Sequence, residues 1–339
     1  MHNTSLTHTL APRPSSCAGE ASLASLTLFI VLALLPPFAW GQTAVVLKGP
    51  HSLGPAPIGP PSRATVSPAN SRYKFFVISP PHSPYAVADG INNDRVVTGY
   101  YLDQSSVYHG FVFSGGQFRT VDYPGAAYTL LYGVSNQGEA IGYYNDGTAD
   151  HVITYSVSSG AWGSLPDIPN YSLNQGYCIN GGGAAVGNAY EGSTSVAWIW
   201  DPGTSSYSFF VAPGAAANST FPSCLNDKNE IVGYYADSNG VYHGFLGAYG
   251  TYTTVDAPGA ADTYPDGINN RGTIQGQLAS SSGALEGFTA TAGGVFHIVN
   301  YPGAQATAIV GINDAGDLCG SEGGTNFADA RAFVAIPQQ

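Results

Sequence analysis

An all-β fold, a six-bladed β-propeller of four-stranded blades, is what this sequence predicts, and three periodic markers predict it. Proline closes an extended apolar segment at Pro80, Pro124, Pro169, Pro213, Pro258 and Pro302, at spacings of 44 or 45 residues. A glycine inside a strand-like run recurs at Gly99, Gly142, Gly187, Gly233, Gly276 and Gly320. An apolar residue, usually followed by asparagine, recurs at Ile91, Val134, Ile179, Leu225, Ile268 and Ile312. One shared period marks a repeat architecture, and four strands in ~44 residues is the pattern of a propeller blade. A parallel β-helix, the second choice, would need much shorter coils.

The first 41 residues read as a signal peptide. Leu23–Leu35 (LASLTLFIVLALL) is an apolar run of 13 residues, too short to cross a bilayer comfortably. Ala39-Trp40-Gly41 supplies small residues at the two recognition positions of a cleavage site before Gln42. Residues 42–72 carry six prolines and no acidic residue, and are expected to form a disordered linker. The repeats then fill residues 73–339. No second apolar run follows, so no membrane span is expected, and the protein should be secreted to the cell exterior or its surface.

Within a unit, the fifth shows the division best. TYPDGIN (263–269), TIQGQLA (273–279), LEGFTAT (285–291) and FHIVNYP (296–302) are extended runs separated by Gly, Asn and Ser turns. No window carries a helical period. The run YKFFVIS (73–79) aligns with fourth strands such as YSFFVAP (207–213), while the last unit stops after its third strand, ARAFVAI (330–336). The N-terminal strand is therefore expected to complete the last blade and close the ring, hiding an open edge. The mid-strand glycines would allow close backbone approach between packed blades. The Tyr-Tyr pairs at 100–101, 143–144 and 234–235 would put both rings into the core.

Composition agrees with this fold and excludes several functions. Charged residues are 9% of the chain, glycines number 44, tyrosines 22 and phenylalanines 15, which suits a turn-rich β protein. A net charge of −12 without a basic patch argues against nucleic acid and anionic membranes. Patterns for a serine hydrolase elbow, a zinc protease helix and a phosphate-binding loop are absent. Cys178 and Cys224 hold one repeat position in adjacent units, so a disulfide between them is possible in an oxidising compartment.

Written as units, the chain resembles the probable extracellular repeat proteins of the HAF family, whose His-Ala-Phe tripeptide appears here as HGF at His109–Phe111 and His243–Phe245. The resemblance covers residues 73–339 and implies a secreted repeat protein; it implies no reaction. The third, fifth and sixth units depart with VAW, EGF and RAF.

YYLDQSSVYHGF (100–111) returns as YYADSNGVYHGF (234–245), so aspartate and histidine stand six apart twice. Strand alternation places the loops after the second and fourth strands of a unit on one rim. Asp103, His109, Asp122, Asp146, His151, Asp237, His243 and Asp256 are accordingly the candidate binding rim, with Asp167 and Asn300 beside them. Each aspartate also suits its turn, and each histidine could pin its own hairpin. Repeat-encoded residues are equivalent, whereas catalysis needs unequal roles. The expected function is thus a non-enzymatic binding or scaffold module, expected as a monomer, for an extracellular protein or glycan. An extracellular polymer hydrolase or lyase using the rim Asp and His residues is the alternative. No cofactor is expected; calcium could be held by the aspartates, although no D-x-D-x-D-G loop occurs.

Overall fold

The computed structural model describes residues 72–338, apart from residues 81, 249, 325, 326 and 328. The expected signal peptide, Cys17 and all of the expected linker but Arg72 lie outside the described residues. Among those described there are 24 strands and no helix. β1 (Tyr73–Val77) precedes the first unit, which holds β2 (Tyr85–Ile91), β3 (Val97–Leu102), β4 (Tyr108–Ser114) and β5 (Gln117–Val121). Unit two holds β6 (Tyr128–Val134), β7 (Glu139–Asn145), β8 (Asp150–Ser156) and β9 (Trp162–Ser164). Unit three holds β10 (Leu173–Ile179), β11 (Ala185–Glu191), β12 (Thr194–Asp201) and β13 (Ser206–Phe210). Unit four holds β14 (Thr220–Leu225), β15 (Ile231–Ala236), β16 (Tyr242–Ala248) and β17 (Thr251–Thr254). Unit five holds β18 (Asp262–Ile268), β19 (Thr273–Ala279), β20 (Leu285–Thr291) and β21 (Phe296–Ile298), and the chain ends with β22 (Ala306–Ile312), β23 (Leu318–Gly323) and β24 (Arg331–Pro337).

The sheets correct the sequence expectation of six separate four-stranded blades. Four blades stand alone, and units two and three share one eight-stranded sheet. The join has a local cause at Asp150. Its backbone pairs in parallel with Leu173, and its N–H donates to the Ser172 carbonyl at 2.9 Å. Its buried carboxylate accepts from Tyr128 Oη, Asn145 Nδ2 and Gln175 Nε2, each at 2.8 Å. Three donors on one carboxylate satisfy a charge that burial would otherwise penalise, and they tie β6, β7 and β10 to the head of β8.

β1 pairs antiparallel with β24, Tyr73 opposite Pro337 and Val77 opposite Phe333, and so supplies the outer strand of the last sheet. Buried apolar layers lie between consecutive units. Phe111, Ala88 and Ile91 of unit one meet Cys319, Ala332 and Val334 of the last sheet. Val112 and Val121 meet Leu131 and Ile153, and Ile141 and Val152 meet Ile179 and Trp198. Val186 and Ile199 meet Leu225 and Phe245; Val232 meets Ile274 and Phe288; Val299 meets Ile309 and Phe333.

The mid-strand glycines act within a unit rather than between units, which corrects their expected role. A Cβ on Gly99 would collide with the Val87 carbonyl oxygen of the neighbouring β2, and one on Gly276 with the Tyr264 carbonyl of β18. At that contact the first two strands slip register. Ala88 pairs with Gly99 and Gly90 with Thr98, leaving Asp89 as the bulged residue. The same slip skips Tyr177, Ser223, Asp266 and Val310, and in unit two it skips Tyr132 with Gly133. A bulge re-aims the side chain it carries. Here that makes one repeat position into a lining position.

The asparagine after the apolar marker holds units together. Asn92, Asn180, Asn226, Asn269 and Asn313 each use Oδ1 to accept from the N–H groups two and four residues on, which closes the hairpin. Each also donates from Nδ2 to the backbone carbonyl at the same position of the next unit: Asn92 to Ser135, Asn180 to Asn226, Asn226 to Asn269, Asn269 to Asn313 and Asn313 to Asn92. In unit two the position is Ser135, which has no amide to donate. A second ladder runs one residue later, where the N–H groups of Asn93, Gly181, Asp227, Asn270 and Asp314 donate to the side chains of Asn136, Asp227, Asn270, Asp314 and Asn93.

Candidate functional site

The rim residues singled out from sequence come together as three copies of one local trio. His109 Nδ1 lies 2.8 Å from Asp122 Oδ2, His151 Nδ1 2.9 Å from Asp167 Oδ2 and His243 Nδ1 2.7 Å from Asp256 Oδ2. The hairpin aspartates are looser partners: Asp103 is 3.5 Å, Asp146 3.3 Å and Asp237 3.7 Å from the Nε2 of the same rings. The stronger bond therefore joins the third strand to the exit of the fourth, not the two sides of the hairpin as the spacing suggested. The second tyrosine of each pair, Tyr101, Tyr144 or Tyr235, packs on the imidazole with centroids 5.0–5.3 Å apart. One ring of each pair is buried (Tyr100, Tyr143 and Tyr235) and the other is half-buried, which corrects the expectation that both rings of each pair are core.

The hairpin carboxylates cap their own turns. Asp103 Oδ1 accepts from Ser105 N and Val107 N at 2.8 Å, and Asp237 Oδ1 from Asn239 N and Val241 N at 2.8 and 3.0 Å. Those backbone bonds, from Val107 and Val241 first, hold both acids below the usual carboxylate range. Asp146 is held lower still, by Thr148 and Ala149. Burial pulls the His151 imidazole down, but Asp167 and Asp146 outweigh it and the net shift is upward. Unit five replaces the pair by Glu286 and Asn300, whose Nδ2 donates to Glu286 Oε1 at 3.1 Å. Each trio is thus complete within one unit, and each holds its own turn and strand exit. Among the described residues, no group of three or more His, Cys, Asp or Glu side chains is arranged to hold a metal ion.

Where the units converge there is a cavity of about 180 Å³, and sequence reasoning missed it. The bulge positions Asp89, Tyr132, Tyr177, Ser223, Asp266 and Val310 all line it. From the second strands come Tyr100, Tyr190, Tyr234 and Gln277, and Phe221 adds a further ring. Tyr100, Tyr132 and Tyr177 form a continuous aromatic wall, with consecutive centroids 5.5 Å apart. Tyr234 packs on Phe221 at 5.2 Å. The asparagine ladder borders the cavity at the loops after the first strands, with Asn93, Asp227, Asn270 and Asp314 linked by side-chain bonds. Those loops lie at the opposite strand ends from the Asp–His rim.

Asp89 and Asp266, two of the lining carboxyls, are half-buried. Burial pushes Asp89 up to about 8, and its Oδ2 has no hydrogen-bond partner. Asp266 is pushed well above its ordinary value by burial, opposed by the amide of Gln277 (Nε2 to Oδ2, 3.1 Å) and assisted by the charge of Asp89. Burial likewise raises the phenols of Tyr100, Tyr132, Tyr177 and Tyr234. Asp89 and Asp266 thus move the same way, while Asp314 at the border is held below its ordinary value.

One sequence signal would have found the cavity. The residue two before the apolar marker reads Asp, Tyr, Tyr, Ser, Asp and Val through the units, although the residue after it is always Gly or Cys. Cys178 and Cys224, also beside the cavity, are bonded, with Cα atoms 4.9 Å apart; Cys319 is a buried free thiol.

No protein-family model and no curated protein matches the chain in sequence. Solved structures do match its fold. A gluconolactonase from Xanthomonas campestris aligns at 14% identity with a TM-score of 0.51, over 84% of this chain and 99% of that one. A putative TolB from Agrobacterium tumefaciens aligns at 9% identity and TM-score 0.52, over 79% of this chain and 99% of that one. TolB from Acinetobacter baumannii aligns at 9% identity and TM-score 0.50, over 77% of this chain and 65% of that one. At such identities the likeness concerns the fold alone: the chain is an all-β, propeller-like protein.

Proposed function

We propose that this protein is a non-enzymatic binding module that takes a small polar group of an extracellular partner into its central cavity. One observation carries the reading. Six side chains of four kinds at one repeat position converge on a single cavity, whereas the Asp–His trios are self-contained and nearly identical. Pockets of this kind, with apolar rings and a few convergent polar groups, are where small ligands bind. The extracellular protein or glycan expected from sequence would present that group. The same proposal takes the units as a six-bladed closed ring secreted as an HAF-type repeat protein. Its support is the β1–β24 pairing and the bond from Asn313 back to Asn92.

A melting-temperature screen of the full chain against glycans and small polar ligands tests the reading. Ligand-induced shifts should vanish in Asp89→Asn/Asp266→Asn and persist in His109→Ala/His243→Ala. The opposite pattern would move the site to the rim and overturn the proposal.

A further inference from the structure

We infer that the central cavity is a site for a small organic ammonium ion, held between the aromatic wall of units one to four and the carboxylates of Asp89 and Asp266. The inference rests on the central-cavity reading above and names its ligand class.

Charge comes first. The cavity is lined by Asp89, Asp227, Asp266 and Asp314, and by no Lys, Arg or His. An anionic ligand would meet four acidic side chains and no counter-charge. Asp314, at the border, is held low: burial raises it, but Asn93, Asn270 and the charge of Arg271 outweigh that. The lining itself, acidic without a basic side chain, favours a cation.

The wall supplies the second argument. Tyr100, Tyr132, Tyr177, Tyr234 and Phe221 present ring surface to the same space. A cation over an aromatic face gains from the ring quadrupole, and more so away from water. Tyr177 Oη is already engaged with Gln175 Oε1 at 3.0 Å and with Tyr190 Oη at 3.1 Å. Tyr132 Oη faces Tyr143 Oη at 3.4 Å. These phenols are tied to the protein, so for a ligand those rings chiefly offer faces and edges.

The third argument is an unsatisfied carboxyl oxygen. Asp89 Oδ2 is buried without a partner, a state that costs free energy unless something completes it. An ammonium group is the natural complement. Size limits the rest of the ligand: about 180 Å³ is near the ~150 Å³ that accommodates benzene. A hexose with all its hydroxyls is larger than benzene and carries no charge to answer Asp89.

The groups facing Asp89 are Tyr85, Tyr100, Tyr132, Cys319 and Asp266. Each is neutral or acidic, so none competes as a counter-ion. With Asp89 lifted to about 8, cation uptake at neutral pH releases its proton, and affinity should rise as pH climbs toward 8.

The test is calorimetric titration of the full chain with choline and with its neutral isostere 3,3-dimethyl-1-butanol, alongside tetramethylammonium and butylammonium. Choline should bind at least tenfold more tightly than the butanol, and Asp89→Asn should bring the two within about twofold. Asp266→Asn, a second variant that retains the cavity shape, should weaken choline by a smaller factor. Equal binding of the isosteres to the wild type, or no binding by any of the cations, overturns the ammonium assignment. If neutral ligands then bind and are lost in Asp89→Asn/Asp266→Asn, the cavity reading stands without it. If ligands bind and the double variant retains them all, the cavity reading falls too.

Discussion

An asparagine side chain has one acceptor and one donor a single methylene from the backbone, and positions 92, 180, 226, 269 and 313 use both. Aspartate would keep the turn and lose the link; glutamine would reach differently in both directions. Asn269→Asp should therefore lower stability by about 1–3 kcal/mol, because it replaces a donor to the Asn313 carbonyl by a buried charge. Urea denaturation at constant m-value checks this, and a change below the error of the extrapolation would contradict it. Asp89 makes the opposite prediction. Its folded pKa of about 8 lies above the unfolded value of 3.8, so its contribution is fully present below pH 4, declines as pH rises and is gone by about pH 8. Asp89→Asn should then gain on wild type from pH 4 to pH 8, reaching roughly 2 kcal/mol or more, read as Tm across that range. The marker asparagine was legible in sequence as a repeat position. Its bond to the next unit was not, because the partner carbonyl lies 43 to 46 residues away, or 221 for Asn313.

At the scale of elements, strand boundaries follow the sequence closely because turn residues punctuate each unit. TIQGQLA becomes β19 and LEGFTAT becomes β20 without change of bounds. The bulge was not legible. Alternation alone treats every strand residue as inward or outward, and only the close contact of Gly99 with β2 reveals that Asp89 is skipped. For that reason the candidate site was placed at the hairpins, whose Asp and His residues stand out in sequence but serve their own turns. The fused sheet has a similar origin, since Asp150 reads as one more turn aspartate until its three donors are seen. The Cys178–Cys224 bond crosslinks first strands of adjacent units across a separation of 46 residues. Reducing it should cost about 2–4 kcal/mol and lower Tm measurably with and without dithiothreitol. An unchanged melting curve after confirmed reduction would show that the strand contacts alone fix this junction.

For the whole molecule, the repeat period dictated an all-β propeller-like protein, and the sheets differ from that plan only where units two and three merge. Deleting residues 72–77 tests the terminal pairing. It removes β1 and bares the edge of β24, so the truncated protein should self-associate, with light scattering reporting dimers or larger species at concentrations where the intact chain is monodisperse. A monodisperse truncated chain would mean that β24 is protected by something other than β1.

The same pairing carries a consequence for how the chain comes into being. The N–H of Gln338 donates to the Arg72 carbonyl at 2.7 Å, so the first and last described residues of the repeat region meet. During synthesis β1 emerges long before its partner β24, and it must stay unpaired while more than 250 residues follow. Loop closure over that length makes the terminal junction the latest and slowest to form. Until the chain's final strand is made, the first has no edge to join.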